Sequence, residues 1–338
     1  MATHHTHSAL QVAPTLFLTD TDVAQLTDWH AAFDALRSAY ASTMAPAMVP
    51  PRSMARGDGI WLRSLTAVSP SGQHLGCKLI AAGLKAKRAS YLISLFDQEN
   101  MGLTALIDGN RITGIRTAAT VAVAVDAAAP RRALKVGVIG SGFEARGLLA
   151  ALAAVRSIAN ARVFSPTPAS RDQFAALFRG EHGLAIEAAG SAREAIAGAD
   201  VVLCAARSRD ERPVLLGEWL EPGMTVASIG STLPEQREVD DQVIARASLV
   251  VADMPEEVAH DTGDMIAAAR AGVDFASKLI PLSDLVSGKF TRQPDDILVY
   301  KSVGSGLQDI ITAEMLLARA RELGMGTELA HSIVPVAK

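Results

Sequence analysis

Residues 135–145 read Lys-Val-Gly-Val-Ile-Gly-Ser-Gly-Phe-Glu-Ala, an apolar run of strand character that breaks on Gly140 and Gly142 and enters an alanine- and leucine-rich helical stretch. Few local patterns restrict a fold as much. Gly140 suits the tight turn, Gly142 lets the backbone approach a pyrophosphate, and Ala145 lets helix and strand pack closely. The N–H groups of the helix N-terminus then face an anion. A glycine turn is also common punctuation after a strand, but here both flanks agree, so Gly140, Gly142, Phe143, Glu144 and Ala145 are expected at a dinucleotide.

The surrounding pattern extends that reading. Strand-like runs at Leu134–Ile139, Ala161–Phe164, Ala185–Ala188, Asp200–Cys204, Met224–Ile229 and Ser248–Ala252 alternate with helical stretches, among them Phe143 to about Ser157 and Ala169–His182. This alternation predicts an α/β fold with a Rossmann-type doubly wound parallel sheet. In such a sheet ligands lie at the carboxyl ends of the strands. Ala205, Ala206 and the loop Ser228-Ile229-Gly230-Ser231-Thr232 are therefore expected at the crevice, the loop beside the nicotinamide, with Gly304 to Asp309 closing it from the other side.

Before residue 124 the pattern changes to a helical opening over Asp20–Ser42, a break at Pro46–Pro51, and strand-like Gly59–Leu65, Leu75–Ala81, Tyr91–Asp97 and Met101–Asp108. Asn100–Gly102 marks a hairpin, and Asp108-Gly109-Asn110 marks a further turn. A second, α+β domain fits these residues. Ile297–Tyr300 reads as a strand and Gly306–Leu323 as an amphipathic helix that returns to cover the first sheet. The expected division is residues 1–124 completed by 303–338 around a dinucleotide domain of residues 125–302.

With 338 residues, 49% of them hydrophobic and 20% charged, the chain can bury a sizeable core. A net charge of −4 gives no reason to expect nucleic acid or an anionic membrane as partner. Apolar stretches such as Leu148–Val155 are too short to span a bilayer, and Met1–Pro14 lacks the pattern of a secretory signal. A cytoplasmic location is expected. Cys77 and Cys204 sit singly in strand-like runs, which favours buried free thiols over a disulfide or zinc site. His4, His5 and His7 fall in a polar tail with no further ligand in register, so no metal is expected.

An NAD site usually offers a carboxylate about 20 residues past the glycine turn, for the ribose 2′-hydroxyl. None occurs between Glu144 and Asp172, where the chain offers Ser165, Thr167 and Arg171 instead. Hydroxyls and a guanidinium suit a 2′-phosphate. The expectation is NADP(H) in preference to NAD(H), the alternative being a loop whose Arg171 faces water.

Several segments together make the chain resemble the ornithine cyclodeaminase and μ-crystallin family, which also contains alanine dehydrogenase-like enzymes and cyclic ketimine reductases. They are Pro51-Arg52, Leu-Gly-Cys-Lys-Leu at 75–79, Ile-Ser-Leu-Phe-Asp at 93–97, Ala-Leu-Ile-Asp-Gly at 105–109 and Ile-Thr-Gly-Ile-Arg-Thr-Ala-Ala at 112–119. The glycine turn, Pro213-Val214-Leu215, Arg237-Glu238-Val239-Asp240 and Ser302-Val303-Gly304 complete the set. The resemblance runs from about residue 16 to 325. It implies that residues 1–124 with 303–338 serve substrate binding and dimerisation, it implies homodimers, and it makes Arg52, Lys78 and Arg116 the substrate-facing cations, with Lys78 nearest the reacting carbon.

Such a trio has its own chemical sense. Arginines clamp a carboxylate, and a lysine crowded by guanidinium groups has its charged form disfavoured and exchanges protons more readily. Arg116 is expected to open an alanine-rich helix, whose dipole would add to anion binding. Taken singly, an Arg or Lys is more often a solvated surface charge; three in matching motifs favour function.

The implied activity is hydride transfer at the Cα of a small imino or amino acid: reduction of an imino acid, or interconversion of an amino acid with its 2-oxo or imino acid. Cyclodeaminases carry an aspartate where this chain has Thr232, and a hydroxyl of ordinary pKa is no general base near neutrality. That departure tells against an ornithine cyclodeaminase with bound NAD. A non-catalytic, NADPH-dependent small-ligand binding protein is the alternative from another class. Arg63 is a second departure: pointing inward it would hold a second carboxylate, and pointing outward it would carry no role.

Overall fold

The computed structural model describes residues 14–83, 85–208 and 210–336; His4, His5 and His7 lie outside them. Alternation of apolar and polar residues produces the first sheet, from β1 (Leu16–Leu18), β2 (Ser53–Gly57), β3 (Ile60–Val68), β4 (His74–Gly83), β5 (Arg88–Asp97) and β6 (Leu103–Asp108). Strands β2 to β6 pair antiparallel in chain order, and β1 joins parallel to β6. The loop at Asn100–Gly102 is the hairpin between β5 and β6.

Register decides which side chains share a face. Arg63 stands opposite Ile80, and Ile80 opposite Tyr91. Leu65 stands opposite Lys78, and Lys78 opposite Ile93. These residues form one inner face. The outer face carries the exposed Ile60, Leu62 and Leu92.

The helical opening is two helices rather than one, α1 (Asp20–Leu26) and α2 (Trp29–Ala41). Thr27 and Asp28 leave helical geometry, and the Asp28 carboxylate accepts the Ala31 N–H at 3.0 Å. A short acidic side chain satisfies a new helix start better than it continues an old one. Helix α3 (Asn110–Ala128) follows Gly109 and is almost wholly buried, its Ala, Gly, Thr and Val side chains small enough to let it lie against both sheets. Arg116 therefore sits in the second turn, past the reach of the unpaired N–H groups, and the expectation that it opens the helix is corrected.

The second sheet comprises β7 (Leu134–Ile139), β8 (Ile158–Phe164), β9 (Ile186–Ala188), β10 (Val201–Cys204), β11 (Thr225–Ser228), β12 (Leu249–Ala252), β13 (Leu279–Pro281) and β14 (Leu298–Lys301). Its order is β13-β12-β14-β11-β10-β7-β8-β9, parallel throughout. Strands β10, β11, β12 and β14 are buried on both faces, as a sheet between helix layers requires. Helices α4 (Phe143–Val155) and α5 (Pro168–His182) link β7, β8 and β9. The winding then reverses, so the switch point opens between β7 and β10. Among the described residues no helix is long and apolar enough to cross a membrane.

The chain then returns to the first sheet. The closing helix Gly306–Leu323 packs on β3, β4 and β5, and β15 (Thr327–Glu328) pairs with β1. Glu314 clamps the helix to the β3–β4 hairpin: its carboxylate accepts the Ser69 and Ser71 hydroxyls and the His74 N–H at 2.8–3.1 Å. Unpaired buried donors cost about 1–3 kcal/mol each. Glu314→Ala is expected to destabilise the fold by about 2 kcal/mol in urea unfolding followed by circular dichroism; a midpoint equal to that of the parent would show that the clamp is idle.

Candidate active site

The glycine turn has the form a pyrophosphate needs. At Gly140, φ is +111°, and an added Cβ would stand 2.5 Å from the Ala205 carbonyl oxygen, so β7 and β10 approach closely only with glycine there. A Cβ on Gly142 would project into open space. Gly142 caps α4 with no side-chain bond, which leaves the first-turn N–H groups for an anion. Ala145 is fully buried, as close packing requires. The Phe143 ring packs on Gly114 of α3, so the residue presents its backbone at the turn.

Past β8, the Ser165 hydroxyl is buried and accepts that of Ser141 at 3.0 Å, which ties this loop to the glycine turn. Thr167 is exposed and its hydroxyl makes no cap. Arg171 stacks its guanidinium 5.4 Å from the Phe164 ring and donates one N–H to the Ala189 carbonyl.

Two buried carboxylates set the loops on the other side of the switch point. Glu238 accepts the Ala206 N–H and the Gly230 N–H, each at 2.8 Å, and the Ser228 hydroxyl. It thereby joins the loops that follow β10 and β11. Lys301 bridges Ser228 (2.8 Å) and Asp264 (2.6 Å), and Asp264 accepts the N–H groups of Glu238 and Val239. Burial pushes the Glu238 carboxyl up, and Lys301 opposes the shift. Ser231 turns its hydroxyl inward onto the Gln236 carbonyl, so it supports the loop with its side chain and can offer a nucleotide only its backbone. Asp253 plays the matching part after β14, accepting the Ser302 hydroxyl and the Val303 and Gly304 N–H groups at 2.6–3.1 Å.

Opposite these strand ends a cavity of about 280 Å³ is lined by Arg52, Arg63, Lys78, Arg116, Thr232 and Glu144, with Trp61 and Tyr91 on its floor. The four candidate cations, which lie on separate strands, loops and a helix, are thus brought together. Lys78 is 1% exposed; its ammonium donates to Asp309 at 2.9 Å and to Thr113 at 2.7 Å. Burial holds it below the ordinary lysine value; Asp309 opposes the shift and Arg116 reinforces it. Arg116 donates to Gln308 at 2.8 Å and lies 3.5 Å from Asp309. Gly304, at φ +82°, lies against that guanidinium: a Cβ there would meet it at 2.5 Å. Arg52 pairs with Glu257 at 2.7 Å. Arg63 faces inward, which answers the question its sequence position left open.

Sequence reasoning missed most of the supporting anions. Asp309 was legible only as the end of a crevice-closing segment, while Asp253, Glu257 and Asp264 carried no motif. Glu144, expected from the glycine motif at a dinucleotide, lines the cation-rich cavity; burial pushes its carboxyl up, against the pull of Arg116 and Lys78. Thr232 lines the cavity but donates its hydroxyl to Gln236 at 3.1 Å. Both cysteines are free; Cys204 is buried as expected, whereas Cys77 is half-buried at the sheet's outer face. Among the described residues no His, Cys, Asp and Glu side chains gather as a metal site.

The model of the ornithine cyclodeaminase/mu-crystallin family matches residues 15–324. The chain belongs to this family. A Delta(1)-pyrroline-2-carboxylate reductase of Bacillus cereus is 31% identical over 294 residues, 86% of each chain. Ketimine reductase mu-crystallin of Mus musculus is 29% identical over 224 residues, 66% of this chain and 67% of that protein. Among solved structures, Thermococcus litoralis Delta(1)-pyrroline-2-carboxylate reductase, in complex with NADH and L-proline, superposes with a TM-score of 0.84 at 26% identity, over 93% of this chain and 100% of that one.

Because Glu238 bonds the loops after both β10 and β11, Glu238→Gln replaces one accepting oxygen by a donor. Titration of reduced coenzyme by fluorescence is expected to show affinity about tenfold weaker, the loss of one or two charge-assisted bonds. An unchanged Kd would remove Glu238 from that role.

Proposed function

We propose that this protein is an NAD(P)H-dependent oxidoreductase that reduces the C=N bond of a small 2-imino acid, or interconverts an amino acid with its imino or 2-oxo acid. The observation that carries the reading is the buried Lys78 ammonium, held by Asp309 and Thr113 among three arginines, in a cavity at the carboxyl ends of β11 and β14. The bound coenzyme supplies hydride to the imine carbon. Arg52 and Arg116, each oriented from behind by Glu257 or Gln308, clamp the substrate carboxylate. Lys78 gives a proton to the nitrogen, and its lowered proton affinity makes it the better donor.

Thr232, turned onto Gln236, offers no base for the redox-neutral cyclodeaminase route. Residues 1–124 with 303–338 serve as the substrate half and residues 125–302 as the coenzyme half. The apolar outer face with Ile60, Leu62 and Leu92 supports assembly as a homodimer. The fold and charge fit a cytoplasmic enzyme.

The test is a panel of cyclic imines and of 2-oxo acids with ammonia, scored by loss of reduced-nicotinamide absorbance. Lys78→Ala is expected to abolish turnover, by at least about 10²-fold, while coenzyme affinity stays within a few-fold; equal loss of both would contradict its role. The protonated lysine is the donor, so activity falls as pH rises through its lowered pKa. Asp309→Asn removes the charge that props this pKa up and is expected to move the basic limb of kcat/KM to lower pH; a limb that stays in place would exclude Lys78 as the titrating group.

We infer that NADP(H) is preferred over NAD(H). The end of β8 offers the free Thr167 hydroxyl and the remaining N–H groups of Arg171, with no carboxylate between residues 145 and 171. Arg171→Ala is expected to weaken NADPH at least about tenfold more than NADH, the scale of a charge-assisted bond; equal effects on the two would sink the 2′-phosphate assignment.

A further inference from the structure

Arg52 is answered by Glu257, and Lys78 and Arg116 share Asp309. Arg63 lines the same cavity and forms no ion pair among the described residues. Its Nε is buried without an acceptor, and its guanidinium carbon stands 5.1 Å from the centroid of the Trp61 ring. Stacking on an indole fixes the plane of a guanidinium while leaving its N–H edge available. An unpaired cation in a half-closed site is costly unless a ligand supplies the missing anion.

We propose that Arg63 receives a second carboxylate, so that the substrate is the imine of a short 2-oxo diacid, of four or five carbons. This rests on the imine-reductase reading above. Three observations agree. First, Lys78 faces Leu65 across the strand pair and Arg63 lies two residues along from Leu65. Such diagonal positions are about 7–8 Å apart, a gap that a four- or five-carbon backbone and two long side chains bridge between the imine nitrogen and a distal carboxylate.

Second, four cations line the cavity against two carboxylates paired with them, Glu257 and Asp309, and a third, Glu144, whose ionisation burial disfavours. A ligand with one carboxylate leaves positive charge unbalanced; one with two does not. Third, a cyclic imine would set methylene groups against the Arg63 guanidinium and strip its water without replacement, whereas a carboxylate gives it two parallel N–H···O bonds. In the reaction, hydride adds to the imine carbon and a proton to its nitrogen as the reduced coenzyme becomes oxidised. The distal carboxylate forms and breaks no bond.

The experiment uses the whole protein with NADH and with NADPH. It compares oxaloacetate or 2-oxoglutarate plus ammonium with pyruvate plus ammonium and with Δ1-piperideine-2-carboxylate. The diacid imines are expected to be reduced with kcat/KM at least about 100-fold above the monoacids, the discrimination of a site whose charged group would otherwise go unpaired. Arg63→Met is expected to collapse that ratio by a similar factor, mainly through KM for the diacid, and Arg63→Lys to restore part of it.

Monoacid imines reduced as well as diacid imines, or a ratio unmoved by Arg63→Met, would overturn the proposal and leave the imine-reductase reading standing. Reduction of no imine at all would overturn both.

Discussion

The buried pair between Lys78 and Asp309 is the contact on which both fold and site depend. Lys78 stands mid-strand in a face of Leu65, Ile80 and Ile93, where an ammonium alone would lose its proton. Its counter-charge comes from 231 residues away, on the first turn of the closing helix. Removing one member of such a pair leaves an uncompensated buried charge and costs about 3–5 kcal/mol. The helix must therefore dock in one place, and Gly304 and Glu314 make that possible, one by making room for Arg116 and the other by fastening the helix's third turn to the hairpin.

A division of labour by charge follows. The groups presented to the cavity are mainly cations, and the anions that orient them stand behind. Asp253 and Glu238 do the same for backbone rather than side chains, fixing the loops after β14, β11 and β10. Such preorientation lets donors meet a ligand without reorganising first, which is where most electrostatic assistance to a reaction arises.

The second sheet was legible because its signal is local. Each parallel strand is a short apolar run beside a helix, and the switch-point glycines announce themselves in sequence. The cations were legible through motifs, since Arg52, Lys78 and Arg116 sit in segments of a recognisable kind. Their partners were not, because a carboxylate that satisfies a distant N–H leaves no periodicity: Asp253 and Glu257 look like any acidic residues near a helix start. The direction of Arg63 needed the β3–β4 register, which only pairing supplies. The split at Asp28 and the early start of α3 were missed because capping at Asp28, and burial of α3 between two sheets, outweigh the simple pattern.

The return of the closing helix also dictates an order of events during synthesis. The strands of the first sheet up to Asp108 leave the ribosome about 200 residues before Asp309 does, an interval of roughly 10–40 s at ordinary elongation rates. For that time the nascent half-sheet carries Lys78 without its partner and shows its inner face to water and to neighbouring chains. The intervening parallel sheet can form in the meantime, so the cleft between the two sheets is assembled last, and a chain released early would hold a complete parallel sheet with nothing opposite it.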